Sequence, residues 1–164
     1  MTRLAILSDT HLPRGERVIP ARCLELCRSS DAILHAGDLS GMPVLEELLA
    51  LGPPLHAIHG NADQPAVRAL LPARLELEFG EVRVGMVHNG GPAAGRGGRL
   101  RTRFPGVDAV VFGHSHVPEH ERAGGFQTFN PGSPTERRRG TPALTMGLAR
   151  VRGRRISFET VTLG

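Results

Sequence analysis

Five apolar runs in this chain each end, within a few residues, in side chains able to hold a metal ion. The ends are Ser8-Asp9-Thr10-His11, Gly37-Asp38, Gly60-Asn61, Val87-His88-Asn89-Gly90 and Gly113-His114-Ser115-His116. One polar residue at one strand end is unremarkable. Carboxylates, imidazoles and an amide at successive ends constrain the fold, because parallel strands place their carboxyl ends along a common crevice, where α/β proteins hold ligands. Unrelated turn caps would need five coincidences in order.

Local patterns agree with such strands. Arg3 to Leu7 is a short apolar strand, and Pro20 opens a helix over Ala21 to Arg28. Ala32 to His35 hardly alternates and reads as a strand buried on both faces. A helix over Pro43 to Leu51, with Leu45, Leu48 and Leu49 as a core stripe, stops at Gly52-Pro53-Pro54. Leu55 to His59 is a third strand, followed by a helix over about Gln64 to Leu71 with Asn61 and Asp63 available as caps. Strand and helix alternate here, which favours parallel strands joined by crossover helices.

The second half changes character. Leu75, Leu77 and Phe79 alternate with Arg74, Glu76 and Glu78, then Gly80-Glu81 turns into Val82, Val84 and Met86, a hairpin with one wet face. A Gly-rich loop, Asn89 to Gly98, leads to a basic helix near Arg99 to Phe104, and Arg96, Arg99, Arg101 and Arg103 read as its solvated face and lead-in. Ala109 to Phe112 is a buried strand. Two hairpins follow, Glu119–Arg122 with Phe126–Phe129 and Leu144–Val151 with Ile156–Val161, and Pro131 to Pro142 reads as a surface loop. The sum is an α/β fold, a four-layer α/β/β/α sandwich of two mixed β-sheets flanked by helices.

At 164 residues and 40% hydrophobic content, residues 1–164 fit one domain with a core that needs no staples. Met1 to Ser8 is too short for a signal-peptide core, and no apolar run approaches the roughly 20 residues of a membrane span, so we expect a soluble cytoplasmic protein. Cys23 and Cys27 lack metal or disulfide spacing and read as buried thiols. Arg supplies all 20 cations, and the net charge is only +4, which admits an anionic substrate. With neither Tyr nor Trp, platforms for stacking bases are scarce, which disfavours nucleic acid as a partner.

With Asp9-x-His11, Gly37-Asp38, Gly60-Asn61, His88 and Gly113-His114-Ser115-His116 in that order, the chain resembles the calcineurin-like metallophosphoesterases. It looks most like their small bacterial and archaeal phosphodiesterase branch, which also includes the retromer subunit of this fold. Asn130-Pro131-Gly132-Ser133 is similar to a late loop motif of that branch. The resemblance implies two divalent metal ions, one held by Asp9, His11, Asp38 and His116, the other by Asp38, Asn61, His88 and His114. It implies a phosphodiesterase acting on a small phosphoester through a metal-bridging hydroxide attacking phosphorus in line, with Asp38, Asn61 and His88 central to catalysis. The same resemblance leaves open a phosphomonoesterase, a phosphoprotein phosphatase, a non-catalytic scaffold and self-association into a homo-oligomer.

The residue chemistry fits independently. Asp9 and His11, two apart past a strand, point the same way if the backbone is extended, and His114 and His116 repeat that spacing. A carboxylate such as Asp38 has two oxygens with which to bridge cations. Donors of this N/O type without thiolate suit manganese, iron, zinc or nickel better than calcium, manganese foremost. Gly37, Gly60 and Gly113 suit turns of close backbone approach and positive φ.

His35 and His59 read as structural or supporting histidines, and His56 and His120 receive no role. Arg137, Arg138 and Arg139 are candidates for substrate phosphate contact, with at most one reaching the site. Two departures from the fuller family pattern stand out. Ala62 occupies the position where larger members carry a leaving-group acid, while Asp63 remains to brace the loop; Asn89-Gly90 follows His88 without the usual second His or Asp that supports the second metal.

Overall fold

The computed structural model describes residues 1–164. In chain order its elements are β1 (Thr2–Leu7), α1 (Ala21–Arg28), β2 (Ala32–His35), α2 (Met42–Leu49), β3 (Leu55–Ala57), α3 (Pro65–Leu70) and β4 (Arg74–Phe79). Then come β5 (Val82–Val87), α4 (Arg96–Arg103), β6 (Ala109–Val111), β7 (Glu119–Ala123), β8 (Phe126–Asn130), β9 (Thr145–Arg152) and β10 (Arg155–Thr162). One sheet has the order β10-β9-β1-β2-β3 and the other β4-β5-β6-β8-β7. Both are mixed: β1, β2 and β3 run parallel, as do β5, β6 and β8, while β9, β10, β4 and β7 pair antiparallel.

Three apolar layers fill the sandwich. Leu4 and Ile6 of β1 face the inter-sheet core with Val84, Met86, Val111 and Phe129 of the second sheet. Ala5 and Leu7 face the other way, against Cys23 and Cys27 of α1 and Val44, Leu45 and Leu48 of α2. That two-sided burial explains why β1 and β2 read as continuous apolar runs. Leu100 and Phe104 of α4 cover the outer face of the second sheet against Val110, Phe112 and Phe126. β4 alternates as its sequence does, with Leu75, Leu77 and Phe79 packed against the inter-sheet core. Cys23 and Cys27 are buried free thiols, and hydrogen bonding to Cys27 first, then burial, pushes the Cys23 thiol well above the ordinary thiol value.

Register decides where the chain leaves each strand. Leu7 lies opposite His35, and His35 opposite Ala57, so the segments after β1, β2 and β3 emerge side by side. Met86 lies opposite Val111, and the Gly113 N–H donates to the His88 carbonyl at 2.9 Å, aligning the exits of β5 and β6.

Three expectations need correction. α4 begins at Arg96, earlier than the sequence suggests. Neither Asn61 nor Asp63 caps α3; Gln64 is the N-cap residue, with no side-chain cap bond, because Asp63 is committed elsewhere. Of the supposed surface loop Pro131–Pro142, Pro131 to Thr135 are buried, since Ser133 and Thr135 bond to the backbone after β1.

Phe129 joins the layers: fully buried, it stacks on Phe158 with ring centroids 4.7 Å apart. Phe129→Ala should destabilise the protein by about 3–5 kcal/mol, the usual cost of deleting a buried ring. Urea denaturation measures this, and a loss below about 1 kcal/mol would contradict the packing.

Candidate metal centre

Asp9 and His11 leave β1, Asp38 leaves β2, Asn61 follows β3, His88 leaves β5, and His114 and His116 follow β6. The aligned exits bring these side chains together in two groups, Asp9 with His11 and His116, and Asp38 with His88 and His114. Within each group the donor atoms all lie within 4.8 Å of one another. Asp38 faces both groups, its Oδ2 3.6 Å from His11 Nε2 and 3.1 Å from His88 Nε2. Asp9 Oδ1 is 3.3 Å from His116 Nε2, 3.6 Å from His11 Nε2 and 3.8 Å from His88 Nε2. Asn61 Oδ1 lies 3.1 Å from His114 Nδ1, both residues exposed at the rim.

The backbone beneath these groups is not extended. Asp9, His11, Asp38, His114 and His116 all have left-handed φ, between 46° and 73°. Non-glycine residues rarely adopt this region, at a cost of about 1–3 kcal/mol each when strained, and such residues cluster at functional sites. The reason is topological: the Asp9 N–H must donate to the Gly37 carbonyl and the His11 N–H to the Asp38 carbonyl, both at 3.0 Å, so the chain curls as it leaves the sheet. Of Gly37, Gly60 and Gly113, only Gly37 has a positive φ, at 99°. Gly60 and Gly113 have ordinary φ and serve space alone, since an added Cβ would overlap Asp38 Oδ1 in one case and Ser8 Oγ in the other.

A set of polar braces holds the curl. Asp63 accepts the Asp38, Ser40 and Gly60 N–H groups at 3.0, 2.7 and 2.7 Å, tying the turns after β2 and β3 together. Asp9 Oδ2 accepts the Ser8 hydroxyl at 2.6 Å and the His114 N–H at 3.0 Å. Buried Asn130 donates to the Gly113 carbonyl, and the Ser133 and Thr135 hydroxyls donate to the carbonyls of Asp9 and Thr10. The late motif therefore braces two of the turns from outside, a role sequence reasoning did not assign to it. His88 lacks the downstream partner noted above, but its Nδ1 lies 2.7 Å from the Ala36 carbonyl, which aims Nε2 at the carboxylates.

Electrostatics decides whether these residues suit a cation. Burial acts most strongly on Asp9 and alone would raise its carboxyl, yet His11, His116, His88 and Ser8 together hold it far below the ordinary carboxylate range. Asp38 is likewise held low against burial, by His88 and then by the Ala62 N–H. Burial pulls His11 and His88 down, but Asp9 and Asp38 outweigh it and keep both imidazoles above the ordinary histidine value. Even so, Asp9 Oδ1 and His88 Nε2 are buried with no hydrogen-bond partner. Ionised oxygens and imidazole nitrogens, buried, convergent and incompletely paired, fit divalent cations.

Residues 2–154 match the family described as the calcineurin-like phosphoesterase superfamily domain. The chain belongs to this family. A probable metallophosphoesterase of Methanothermobacter thermautotrophicus is 32% identical over 165 residues, covering 98% of this chain and 92% of its own. The phosphodiesterase YfcE of Escherichia coli is 29% identical over 170 residues, covering 87% and 85%. Among solved structures, Vps29 of Chaetomium thermophilum aligns over 99% of this chain and 98% of its own with a TM-score of 0.81 at 19% identity, a likeness of fold.

The arginines of this phosphoesterase fall into two sets. Arg138 reaches the cluster, its Nε 3.3 Å from His116 Nδ1 and its Nη2 3.2 Å from His116 Nε2. Arg137 instead donates to the Pro142 carbonyl, and Arg139 is exposed. Of the expected solvated face, Arg99, Arg101 and Arg103 are exposed and only Arg96 departs from it. Arg96 is buried, donates to the Gly91 carbonyl, pairs with Glu119 and lies over the Phe112 ring; Arg99 donates to the carbonyls of Gly90, Pro92 and Ala94. Both staple the Gly-rich loop beside His88. A cleft of about 580 Å³, lined by His59, Asn61, Arg68, Arg103 and His114 among others, opens next to the cluster.

His35 lies under the site as a fully buried neutral ring: Nδ1 accepts the Gly37 N–H at 3.2 Å, leaving Nε2 to donate to Thr10 Oγ1 at 3.2 Å. Burial pushes its pKa down to about 3. The unfolded chain therefore takes up a proton below pH about 6.5 that the folded protein refuses until pH about 3, so this residue costs stability as pH falls through that window. His35→Gln should lose less stability than the native chain between pH 6.5 and 4.5, measured by urea unfolding. Equal slopes in the two proteins would contradict the neutral assignment.

Proposed function

We propose that this chain is a dinuclear metal-dependent phosphodiesterase acting on a small phosphoester. The observation that carries the reading is the meeting of two donor groups across Asp9 and Asp38, with Asp9 Oδ1 and His88 Nε2 buried and without a hydrogen-bond partner. Asp9, His11, Asp38 and His116 would hold one cation; Asp38, Asn61, His88 and His114 would hold the other. Two divalent ions, manganese first among manganese, iron, zinc and nickel, would neutralise phosphoryl charge and lower the pKa of a coordinated water.

The chain's own residues supply the rest. The Ala62 N–H fixes Asp38 Oδ1 at 2.8 Å, leaving Oδ2 turned toward both histidine sets. Arg138, beside His116, would fork onto phosphoryl oxygens. Ala62 is exposed at the rim and carries no proton, so nothing there protonates a departing alkoxide and good leaving groups are favoured. Positioned acids are worth about 10²–10⁴-fold. The relative named a phosphodiesterase supports the diester assignment. A scaffold of this fold would have no use for buried donors left without a hydrogen bond, which weighs against a purely structural role.

The test is a substrate panel with manganese present. Bis(4-nitrophenyl) phosphate should be hydrolysed with higher kcat/KM than 4-nitrophenyl phosphate; the reverse order would make the protein a monoesterase. Asp38→Ala should lower kcat/KM by more than about 100-fold, beyond the loss from removing an outer partner of a ligand. Native rates in that variant would sink the bridging role. Ala62→His should accelerate diesters with poor leaving groups more than nitrophenyl esters; an equal effect on both would contradict the account of the missing acid.

A further inference from the structure

At the other end of the sandwich, where the parallel strands begin, lies a cleft of about 740 Å³. Arg122, Arg150, Arg152, Arg154 and Arg155 line it, and Asp108 is the one carboxylate among its residues. Asp108 precedes β6 whereas His114 and His116 follow it, so cleft and metal centre occupy opposite ends of the same strands and share no residue.

Two of these five guanidinium groups have a carboxylate partner, and Arg152 Nε donates to Met1 Sδ at 3.2 Å. Arg150 lies 3.4 Å from Glu159 and Arg154 lies 2.6 Å from Glu81, while Arg122, Arg152 and Arg155 have no carboxylate within ion-pair reach. Asp108 is itself occupied, accepting the Arg83 N–H at 2.8 Å. Register sharpens the imbalance. The β9–β10 hairpin sets Arg152 directly opposite Arg155, and the β1–β9 ladder sets Arg3 opposite Arg150. Like charges directly opposite in an antiparallel pair repel. These positions are exposed or half-buried, where Thr would satisfy the strand as well, so the fold does not require the charges.

We propose that this cleft binds a small oligophosphate, a ligand carrying two or more linked phosphate groups. Such a ligand converts the repulsion into attraction, because guanidinium forks match phosphate oxygens bidentately. The volume is that of a small-molecule site. The β7–β8 turn at Gly124-Gly125 and the β9–β10 turn at Arg154 bound the cleft, which suits a compact ligand. Tyr and Trp are absent from the chain and Phe126 is buried, so no exposed ring in the cleft offers a stacking platform to the bases of a strand.

Calorimetry on the full chain, freed of metal and kept in chelator, tests this with tripolyphosphate, adenosine triphosphate and inorganic phosphate. Tripolyphosphate should bind about tenfold or more tightly than inorganic phosphate, and Arg152→Ser with Arg155→Thr should weaken it about tenfold or more. That double variant should keep its rate on bis(4-nitrophenyl) phosphate and melt at the same or a higher temperature, since it removes a like-charge pair. Equal affinities for tripolyphosphate and the nucleotide would identify the phosphate chain as the recognised part, and a preference for the nucleotide would name nucleotides as the source. Absence of binding, undiminished binding by the double variant, or tighter binding of a thymidine oligonucleotide than of tripolyphosphate overturns the proposal.

Discussion

Two carboxylates, Asp9 and Asp38, sit buried at the exits of adjacent strands with imidazoles on several sides. An ionised carboxylate removed from water is costly unless it is paired and hydrogen-bonded. Here Ser8, the His114 N–H and the Ala62 N–H satisfy part of that demand, and His11, His88 and His116 supply partners that carry charge only when protonated. Metal affinity at such a site depends on pH, because cations compete with those protons.

Much of the remaining structure keeps that arrangement in place. Left-handed residues at Asp9, His11, Asp38, His114 and His116 turn side chains inward from strands that point past the site. Asp63, Asn130, Ser133 and Thr135 hold those turns through backbone bonds, and Arg96 and Arg99 do the same for the loop beside His88. The stability given up in these strained turns is offset by the apolar layers beneath them. Leu4 and Ile6 on one face of β1, and Ala5 and Leu7 on the other, anchor the strand that delivers Asp9 and His11.

The order of strands and the donor residues at their ends were legible because period and punctuation are local: Ala32–His35 fails to alternate, Leu75–Phe79 does, and Gly-Asp, Gly-Asn and Gly-His follow apolar runs. What was not legible depends on contacts distant in sequence. Arg96 resembles a solvated arginine until Glu119 and the Phe112 ring fold against it. Pro131 to Thr135 has the composition of an exposed loop, yet it is buried because Ser133 and Thr135 find carbonyls more than a hundred residues away. The curl at Asp9 and His11 was invisible for another reason: Asp and His tolerate the left-handed region without demanding it. The glycines were half-readable, since close approach was foreseen at Gly60 and Gly113 while their φ is ordinary.

On the proposed reading, the two donor groups form one dinuclear centre on this phosphoesterase fold. Titration of manganese into the metal-free protein by calorimetry, checked by elemental analysis of the dialysed product, measures it most directly. Two manganese ions should bind per chain, and the binding of both should weaken in Asp38→Ala. One ion per chain, or none, would contradict it.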